Sequence, residues 1–321
     1  MKTCTKCGVE LTGENVLQDR GPKASKSGIR LRCRDCNAKG LRERREKARL
    51  WNAPEVPPRP APPERQVVRQ LRPRCAVNGD LERVLIIPDC HIPNHHEDYN
   101  LMLRAALKFK PDGIIILGDY ADAESLSQHP KTEAGRTDFQ AEVSAVNAEL
   151  DKLDRLGAKW KKYIEGNHEW RLQRLLADKA SSLLGCLSIP EMLHLRDRGW
   201  DFTKYQTLTK VGKIHFTHDT GTAGMNAHRQ ARDVFMGSAV IGHTHRMAYE
   251  VRGVWGGHPV VTAMFGWLGD PEKITYAHQA VAAMWPRGFG VGYHDLASGL
   301  VYLVPVPIVN GTCVVEGVLV K

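Results

Sequence analysis

The chain has 321 residues, of which 42% are hydrophobic and 25% charged, and its formal net charge is +9. This length and composition predict one large domain with a sizeable hydrophobic core and, in addition, one small module. No apolar run approaches the roughly 18 residues of a membrane helix, and the first residues do not form a signal peptide, so we expect a cytoplasmic protein without a membrane partner. The eight cysteines are then better interpreted as metal ligands or free thiols than as disulfides.

Charge and histidine divide the chain into unlike parts. Residues 1–50 hold 14 Lys and Arg against 6 Asp and Glu, a net of +8, whereas residues 83–321 are close to neutral. All 14 histidines lie at or beyond His91. Between these parts, residues 51–74 contain seven prolines, which favour a semi-rigid, extended tether. We therefore predict a basic module over residues 1–50, a linker over 51–82 and a large domain over 83–321, with the boundary near Leu81.

The first predicted element is a small metal site. Two CxxC pairs, Cys4 with Cys7 and Cys33 with Cys36, are separated by 25 residues. Four thiolates at this spacing suit one structural zinc, which gives a module of about 40 residues a fold that its small core cannot provide. A redox role is the competing interpretation, but it requires a βαβ context that this segment lacks.

A basic helix is predicted next, over residues 38–50. Its cations and those just before it are candidate phosphate contacts: Arg30, Arg32, Arg34, Arg42, Arg44, Arg45, Lys47 and Arg49. The alternatives are a solvated helix in which Glu43 and Glu46 pair locally, or a protein-docking surface. The net charge favours nucleic acid as the partner. The segment resembles the Cys4 zinc ribbons of phage and bacterial nucleic-acid proteins. It contains no histidine and so cannot supply histidine-dependent nuclease chemistry of its own, and we therefore interpret it as a binding module.

The rest of the chain alternates strands and helices. Apolar runs at 84–87 and 113–117 are predicted strands, and helical spacing of apolar residues predicts helices at 97–110 and 137–156. Residues 162–164, 213–216 and 239–241 are predicted as further strands. Each run leads into a polar motif, and the carboxyl ends of strands are where α/β sheets open a crevice for ligands.

Five short motifs follow these strands in a fixed order. They comprise Asp89-Cys90-His91, Gly118-Asp119, Gly166-Asn167-His168-Glu169, His218 and Gly242-His243-Thr244-His245. Each alone is weak, because a lone histidine is usually structural and an aspartate after a strand often caps a turn. Together they supply the seven oxygen and nitrogen ligands that a pair of divalent metals requires.

As a set, these motifs resemble the calcineurin-like metallophosphoesterase superfamily over about residues 83–300. The resemblance implies an α/β fold, an αββα sandwich of two mixed sheets flanked by helices, and a hydrolase that attacks phosphate esters with a metal-bridging hydroxide. It implies that Asp89, His91 and His245 hold one metal, that Asn167, His218 and His243 hold the other, and that Asp119 bridges them. Mn²⁺ fits these ligands, with Fe or Zn²⁺ as alternatives. His168 would be the catalytic histidine, and Glu169 its partner or the residue that orients the site. Residues 299–320 are expected to complete the second sheet.

The substrate stays open at this stage. Our leading hypothesis is nucleic acid, cleaved by a nuclease or phosphodiesterase of phage or bacterial origin, or trimmed by an end phosphatase. The alternative is a phosphomonoesterase acting on phosphoprotein, nucleotide or another small substrate, with the zinc module as a docking element. A scaffold without activity is disfavoured, since no ligand is missing. Protein phosphatases continue the second motif as GDxxDRG, whereas Ala123 and Glu124 follow Asp122 here. The sequence indicates no oligomeric state.

Further candidate residues flank the motifs. Arg171, Arg229 and Arg246 are candidates for binding a phosphate oxygen. Trp255, Trp267 and Trp285 are candidates for base stacking, although core packing is the preferred interpretation.

Overall fold

The computed structural model describes residues 3–12, 16–18, 29–50, 81–128, 138–274 and 277–321. Contacts divide the chain into two units, Met1–Pro73 and Arg74–Lys321. In the first unit, β1 (Val16–Gln18) and β2 (Ile29–Cys33) pair antiparallel and α1 (Arg34–Leu50) follows at once. The predicted basic helix therefore begins at Arg34 rather than at residue 38. The predicted linker lies outside the described residues except for residues 81 and 82, which begin the next strand.

A parallel sheet begins the second unit. Its strands are β3 (Leu81–Ile87), β4 (Gly113–Ile116), β5 (Trp160–Ile164) and β6 (Trp200–Thr203), which pair in that order. All four residues of β4 are buried, as expected of a parallel strand covered on both faces. The strands predicted at 84–87 and 113–117 are confirmed.

Helices cover one face of this sheet. They are α2 (Asp98–Phe109), α3 (Phe139–Asp154), α4 (Arg171–Lys179) and the short α5 (Ile189–Met192). Leu85 and Ile114 of the sheet share a core cluster with Leu101 of α2 and Val146 of α3. The helices predicted at 97–110 and 137–156 are confirmed, although residue 137 lies outside the described part of the chain.

A second sheet packs on the other face. Its strands are β7 (Thr209–Val211), β8 (Ile214–Thr217), β9 (Ala239–Ile241), β10 (Met247–Arg252) and β11 (Val260–Phe265). Their order is β10-β11-β9-β8-β7, with β8, β9 and β11 mutually parallel. Val84 and Ile86 of β3 pack against Phe216 and Val240 of this sheet, while Leu85 points to the helices, because successive side chains of a strand alternate between its faces.

The helix α6 (Ala227–Phe235) lies on the outer face of the second sheet, where Ala227 and Ala231 share a cluster with Ile241 and Met264. The layers are therefore helix, sheet, sheet, helix, and the predicted αββα sandwich is confirmed. None of the helices in the described ranges has the length and apolar character needed to cross a bilayer.

The C-terminal strands differ from the prediction. After the short α7 (Gln279–Ala282), β12 (Gly288–Asp295) pairs antiparallel with β3, and β13 (Val301–Pro307) pairs with β12. They extend the first sheet, so the expectation that residues 299–320 complete the second sheet is wrong. β14 (Cys313–Val315) and β15 (Val318–Val320) form a separate hairpin. Its inward residues Cys313, Val315 and Val320 join the core on the helical side of the first sheet, which explains why this apolar segment does not lie in the second sheet.

Candidate metal centre and active site

The predicted ligands lie in loops that follow β3, β4, β5, β8 and β9, and all but Asn167 and His243 are buried. Four of them have a left-handed backbone: His91 (φ 54°), Asp119 (47°), His243 (63°) and His245 (53°). This conformation costs about 1–3 kcal/mol for each residue that carries a Cβ, and persists only where surrounding structure imposes it. Such clustering of strain is a mark of a functional site rather than of ordinary turns.

The motif glycines allow these loops to approach one another. Gly118 has φ 94°, and a Cβ there would collide with the ring of His218. A Cβ on Gly166 would collide with the backbone nitrogen and the carboxylate of Asp119. Any larger residue at either position would therefore push two predicted ligand loops apart.

One group of predicted ligands consists of Asp89, His91 and His245. The two imidazole Nε2 atoms are 3.1 Å apart, and His245 Nε2 lies 3.2 Å from Asp89 Oδ2. Asp89 Oδ1 accepts a hydrogen bond from the backbone of His243 (3.0 Å), whereas its buried Oδ2 accepts none. A buried carboxylate oxygen without a hydrogen bond, facing two imidazole nitrogens, is a suitable place for a cation.

The second group is centred on the side-chain oxygen of Asn167. Its Oδ1 lies 2.9 Å from His218 Nε2 and 2.8 Å from His243 Nδ1. His218 Nδ1 donates to the carbonyl of Leu117 (2.8 Å), which directs Nε2 into the site, as is usual for metal-binding histidines. Burial opposes protonation of His218, but the adjacent Asp119 carboxylate raises its pKa to about 10. A metal ion at this position would replace that proton.

Asp119 lies between the two groups. Its carboxylate belongs to one set of converging side chains with His91 and His168, and to another with His218 and His243. Oδ1 accepts from the backbone of His168 (2.9 Å), and Oδ2 lies 3.3 Å from His218 Nε2. Burial would raise the pKa of Asp119, but His218 and His168 hold it well below its usual range. The position and charge of Asp119 fit the predicted bridging role.

His168 is held beside Asp119 by a residue that the sequence analysis did not assign. Its Nδ1 lies 2.8 Å from both the carbonyl and the carboxylate Oδ1 of Asp122, and Asp122 also approaches His91 Nδ1 at 3.3 Å. Asp122 thus orients one predicted ligand and the predicted catalytic histidine. In the sequence, its position three residues after Asp119 was the feature that could have identified it as a site residue.

Arg171 approaches the other nitrogen of His168. Its NH2 group lies 3.0 Å from Nε2, while NH1 donates to the carbonyl of Asp122 (3.0 Å) and lies 3.5 Å from a carboxylate oxygen of Glu124. Arg171 is 8% exposed. Its guanidinium is therefore committed to the protein, which argues against the predicted direct contact with a substrate phosphate.

Glu169 has a different set of partners. Its buried carboxylate accepts five hydrogen bonds, none of them from His168: Asp119 N and Gly166 N to Oε2, and Tyr120 N, Ala121 N and Tyr163 Oη to Oε1. The partner of His168 is Asp122 instead. Glu169 fits the other half of the prediction, because it ties the loop after β4 to the loop after β5 and so sets the spacing of the predicted ligands.

Two of the three flagged tryptophans pack against the site. Trp267 stacks on His245 with ring centroids 5.0 Å apart, and Trp285 meets His245 edge-on at 4.3 Å. Trp255, at the tip of the β10–β11 hairpin, is fully exposed. Core packing, the preferred interpretation, is thus correct for Trp267, which is fully buried, and wrong for Trp255.

The four N-terminal cysteines also converge. The sulfur atoms of Cys4, Cys7, Cys33 and Cys36 all lie within 4.8 Å of one another. Backbone hydrogen bonds, chiefly from Cys33, lower the pKa of Cys4 to about 6, whereas the hydrogen bond with Cys7 raises the pKa of Cys36 to about 12. The thiols thus compete for protons at a site whose size and donor set suit one tetrahedral zinc.

Less of the predicted nucleic-acid surface is described. Arg34 and Arg42 are exposed, as phosphate contacts require. Glu43 pairs with Lys6 across the module at 3.7 Å. The side chains of the remaining predicted contacts lie outside the described part of the chain: Arg30, Arg32, Arg44, Arg45, Lys47 and Arg49.

Comparison with known proteins agrees with this geometry. The family model described as calcineurin-like phosphoesterase matches residues 82–282. This range includes every predicted ligand of the metal centre, together with His168, Glu169 and Asp122. No curated protein matches the chain.

Proposed function

We propose a nucleic-acid substrate for this chain, which belongs to the calcineurin-like phosphoesterase family and is therefore a metal-dependent phosphoric ester hydrolase. Its reaction would be hydrolysis of a phosphodiester, or of a terminal phosphate, in DNA or RNA. The observation that carries the proposal is the Cys4 module, because residues 1–50 hold 14 Lys and Arg against 6 Asp and Glu. A basic binding module joined to a near-neutral catalytic domain concentrates that domain on a polyanion.

The converging side chains support the predicted ligand set of a metal pair. Asp89, His91 and His245 would hold one ion, and Asn167, His218 and His243 the other, with Asp119 between them. The mixture of carboxylate, amide and imidazole donors suits Mn²⁺, Fe or Zn²⁺ better than Ca²⁺ or Mg²⁺, and we propose Mn²⁺. A bound pair would supply Lewis acidity at the phosphoryl group and an activated water.

His168 would supply the proton to the leaving oxygen. Burial opposes its protonation, but the carboxylates of Asp119 and Asp122 outweigh burial and raise the pKa of His168. Asp122 fixes the ring through Nδ1, so the proton to be transferred is the one on Nε2. Once it has left, the neutral Nε2 can accept from Arg171 NH2, 3.0 Å away, which stabilises the product state of the histidine.

The test uses the full-length protein with Mn²⁺ and end-labelled single-stranded and double-stranded DNA and RNA, resolved on a denaturing gel. A His168→Ala protein runs beside it, and a generic phosphate monoester is assayed in parallel. Shortened or end-dephosphorylated products that disappear with His168→Ala would support the proposal, and their lengths would distinguish endonuclease, exonuclease and end phosphatase. Intact, still end-labelled nucleic acid from protein that hydrolyses the monoester would refute it and direct attention to phosphoproteins and nucleotides.

A further inference from the structure

A cavity of about 530 Å³ lies beside the predicted metal centre, on the outer side of the second sheet. His228 and Arg229, from the first turn of α6, line one wall. Arg246, Tyr249 and Glu250, at and after the start of β10, line the other. Arg246 directly follows the predicted ligand His245, so the cavity begins one residue from the metal centre. Nothing in the reaction described above uses it.

Arg246 is the cation in this cavity whose charge is not matched. Glu250 accepts hydrogen bonds from Arg229 Nε, in close contact, and from Arg232 NH1, at 3.1 Å. The charge of this carboxylate is therefore already neutralised. Within the described residues, the Arg246 side chain forms no ion pair, and its Nε is buried without a hydrogen-bond partner. Arg246 as a whole is partly exposed and lines the cavity, and phosphate is the acceptor that a guanidinium group fits best.

His228, which also lines the cavity, is 6% exposed. Its Nε2 lies 3.6 Å from Glu250 Oε2, so it belongs to the same charge cluster as Arg229 and Arg232 and is not a second unpaired group. Arg246 is thus the charged group of the lining that stands outside this cluster.

Apart from Asn226, the remaining lining is apolar or aromatic. Met225 (70% exposed) and Tyr249 (45% exposed) stand at the rim, and Met247, Met264 and Pro286 line the interior. Flexible thioethers and an aromatic ring suit the flat face of a base and the carbon atoms of a sugar. The lining therefore offers a cation for a phosphate and apolar and aromatic groups for a nucleoside.

We propose that this cavity binds the nucleotide next to the phosphate under attack, with its own phosphate on Arg246 and its base against Tyr249. The inference rests on the proposed nucleic-acid substrate and gives that substrate a binding site within the catalytic domain. It predicts that a substrate with a flanking nucleotide uses Arg246, whereas a small diester without one depends on it much less.

The experiment compares two substrates, an oligonucleotide and bis(4-nitrophenyl) phosphate, in the full-length protein with Mn²⁺. Arg246→Gln and Tyr249→Ala are the test variants. Arg252→Gln, at the exposed end of the same strand, and Tyr302→Ala, exposed on β13, make the same chemical changes outside the cavity. The oligonucleotide is also titrated as an inhibitor of the small-diester reaction, so that its binding is measured whether or not it is cleaved.

Each test variant should raise the KM and the inhibition constant of the oligonucleotide about tenfold relative to its control. Its effect on the small diester should be at least fivefold smaller. Arg246→Gln should also reduce the salt dependence of oligonucleotide binding by about one ion. Oligonucleotide cleaved equally well by test and control variants would overturn the cavity assignment while the proposed function stands. Oligonucleotide that is not cleaved, but inhibits in a manner sensitive to Arg246, would refute nuclease activity and support the cavity. Absence of cleavage, of end dephosphorylation and of Arg246-sensitive inhibition would overturn both.

Discussion

Glu169→Gln should destabilise the catalytic domain far more than its small chemical change suggests. Whichever way the new amide is turned, its NH2 group takes the place of Oε1 or Oε2, and each of these oxygens accepts at least two hydrogen bonds in the native structure. For Oε2, the donors are the backbone N–H groups of Asp119 and Gly166, both at 3.0 Å. Hydrogen bonds to a charged group contribute about 1.5–3 kcal/mol each, so losing two costs about 3–6 kcal/mol. This is a large part of the roughly 5–15 kcal/mol that stabilises a typical domain.

The measurement is urea unfolding of the full chain in EDTA, so that metal binding to the active site does not contribute. Six of the seven tryptophans lie beyond residue 81 and report on the catalytic domain. With a slope near 3 kcal/mol/M, the midpoint should fall by about 1–2 M. Glu97→Gln, at the exposed N-cap carboxylate of α2, is the matched control and should lower the midpoint by no more than about 0.3 M, since a charge at a helix N-terminus contributes about 0.3–1 kcal/mol. A loss below about 1 kcal/mol for Glu169→Gln would refute the view that this carboxylate holds the two loops together.

Four further outcomes follow from the contacts described. His168→Asn should lower kcat by about 10²–10⁴ with metal content by elemental analysis unchanged, and an unaltered kcat would contradict its role as proton donor. Asp122→Asn should lower kcat at least about tenfold, since the carboxylate holds His168 at 2.8 Å; full activity would show that orientation through Nδ1 is dispensable. Cys36→Ser should remove one zinc per chain and weaken DNA binding, and retention of that zinc would exclude the Cys4 site. EDTA should expose residues 1–50 to trypsin while the tryptophan fluorescence of the catalytic domain stays native; equal loss in both would contradict a metal-independent fold of the larger unit.

The sequence was most informative where burial leaves a continuous apolar run. Residues 84–87 of β3 and all of β4 are covered on both faces, so their residues alternate between two hydrophobic cores without polar interruption. The predicted ligands follow directly after these runs, and the direction of parallel strands brings such positions to one edge. For this reason Asp89 and Asp119 could be grouped without coordinates.

Contacts between segments that are distant in the sequence could not be predicted from such apolar runs. Asp122 meets His168 across 46 residues of sequence, and only the loop conformation decides that Asp122 rather than Glu169 is its partner. Trp255 and Trp267 are the same residue type in the same Gly-rich segment, yet a hairpin tip exposes one while the turn after β11 buries the other. The edge joined by β13 depends on pairing with β12, which apolar alternation alone does not specify.

The two predicted metal sites of this chain would relate to folding in opposite ways. In the catalytic domain, the loops after β4 and β5 are joined by the five hydrogen bonds of Glu169, and Asp122 fixes His91 and His168. These contacts are made by the protein alone, so the strained backbone of His91 and Asp119 is maintained by the fold, and metal binding need not supply that energy. In its described residues, the Cys4 module has two short strands and a helix around its four sulfur atoms, and a core of that size needs the metal to be stable. Metal availability would therefore control activity in the catalytic domain, and in the Cys4 module it would control folding and, with it, the proposed attachment to nucleic acid.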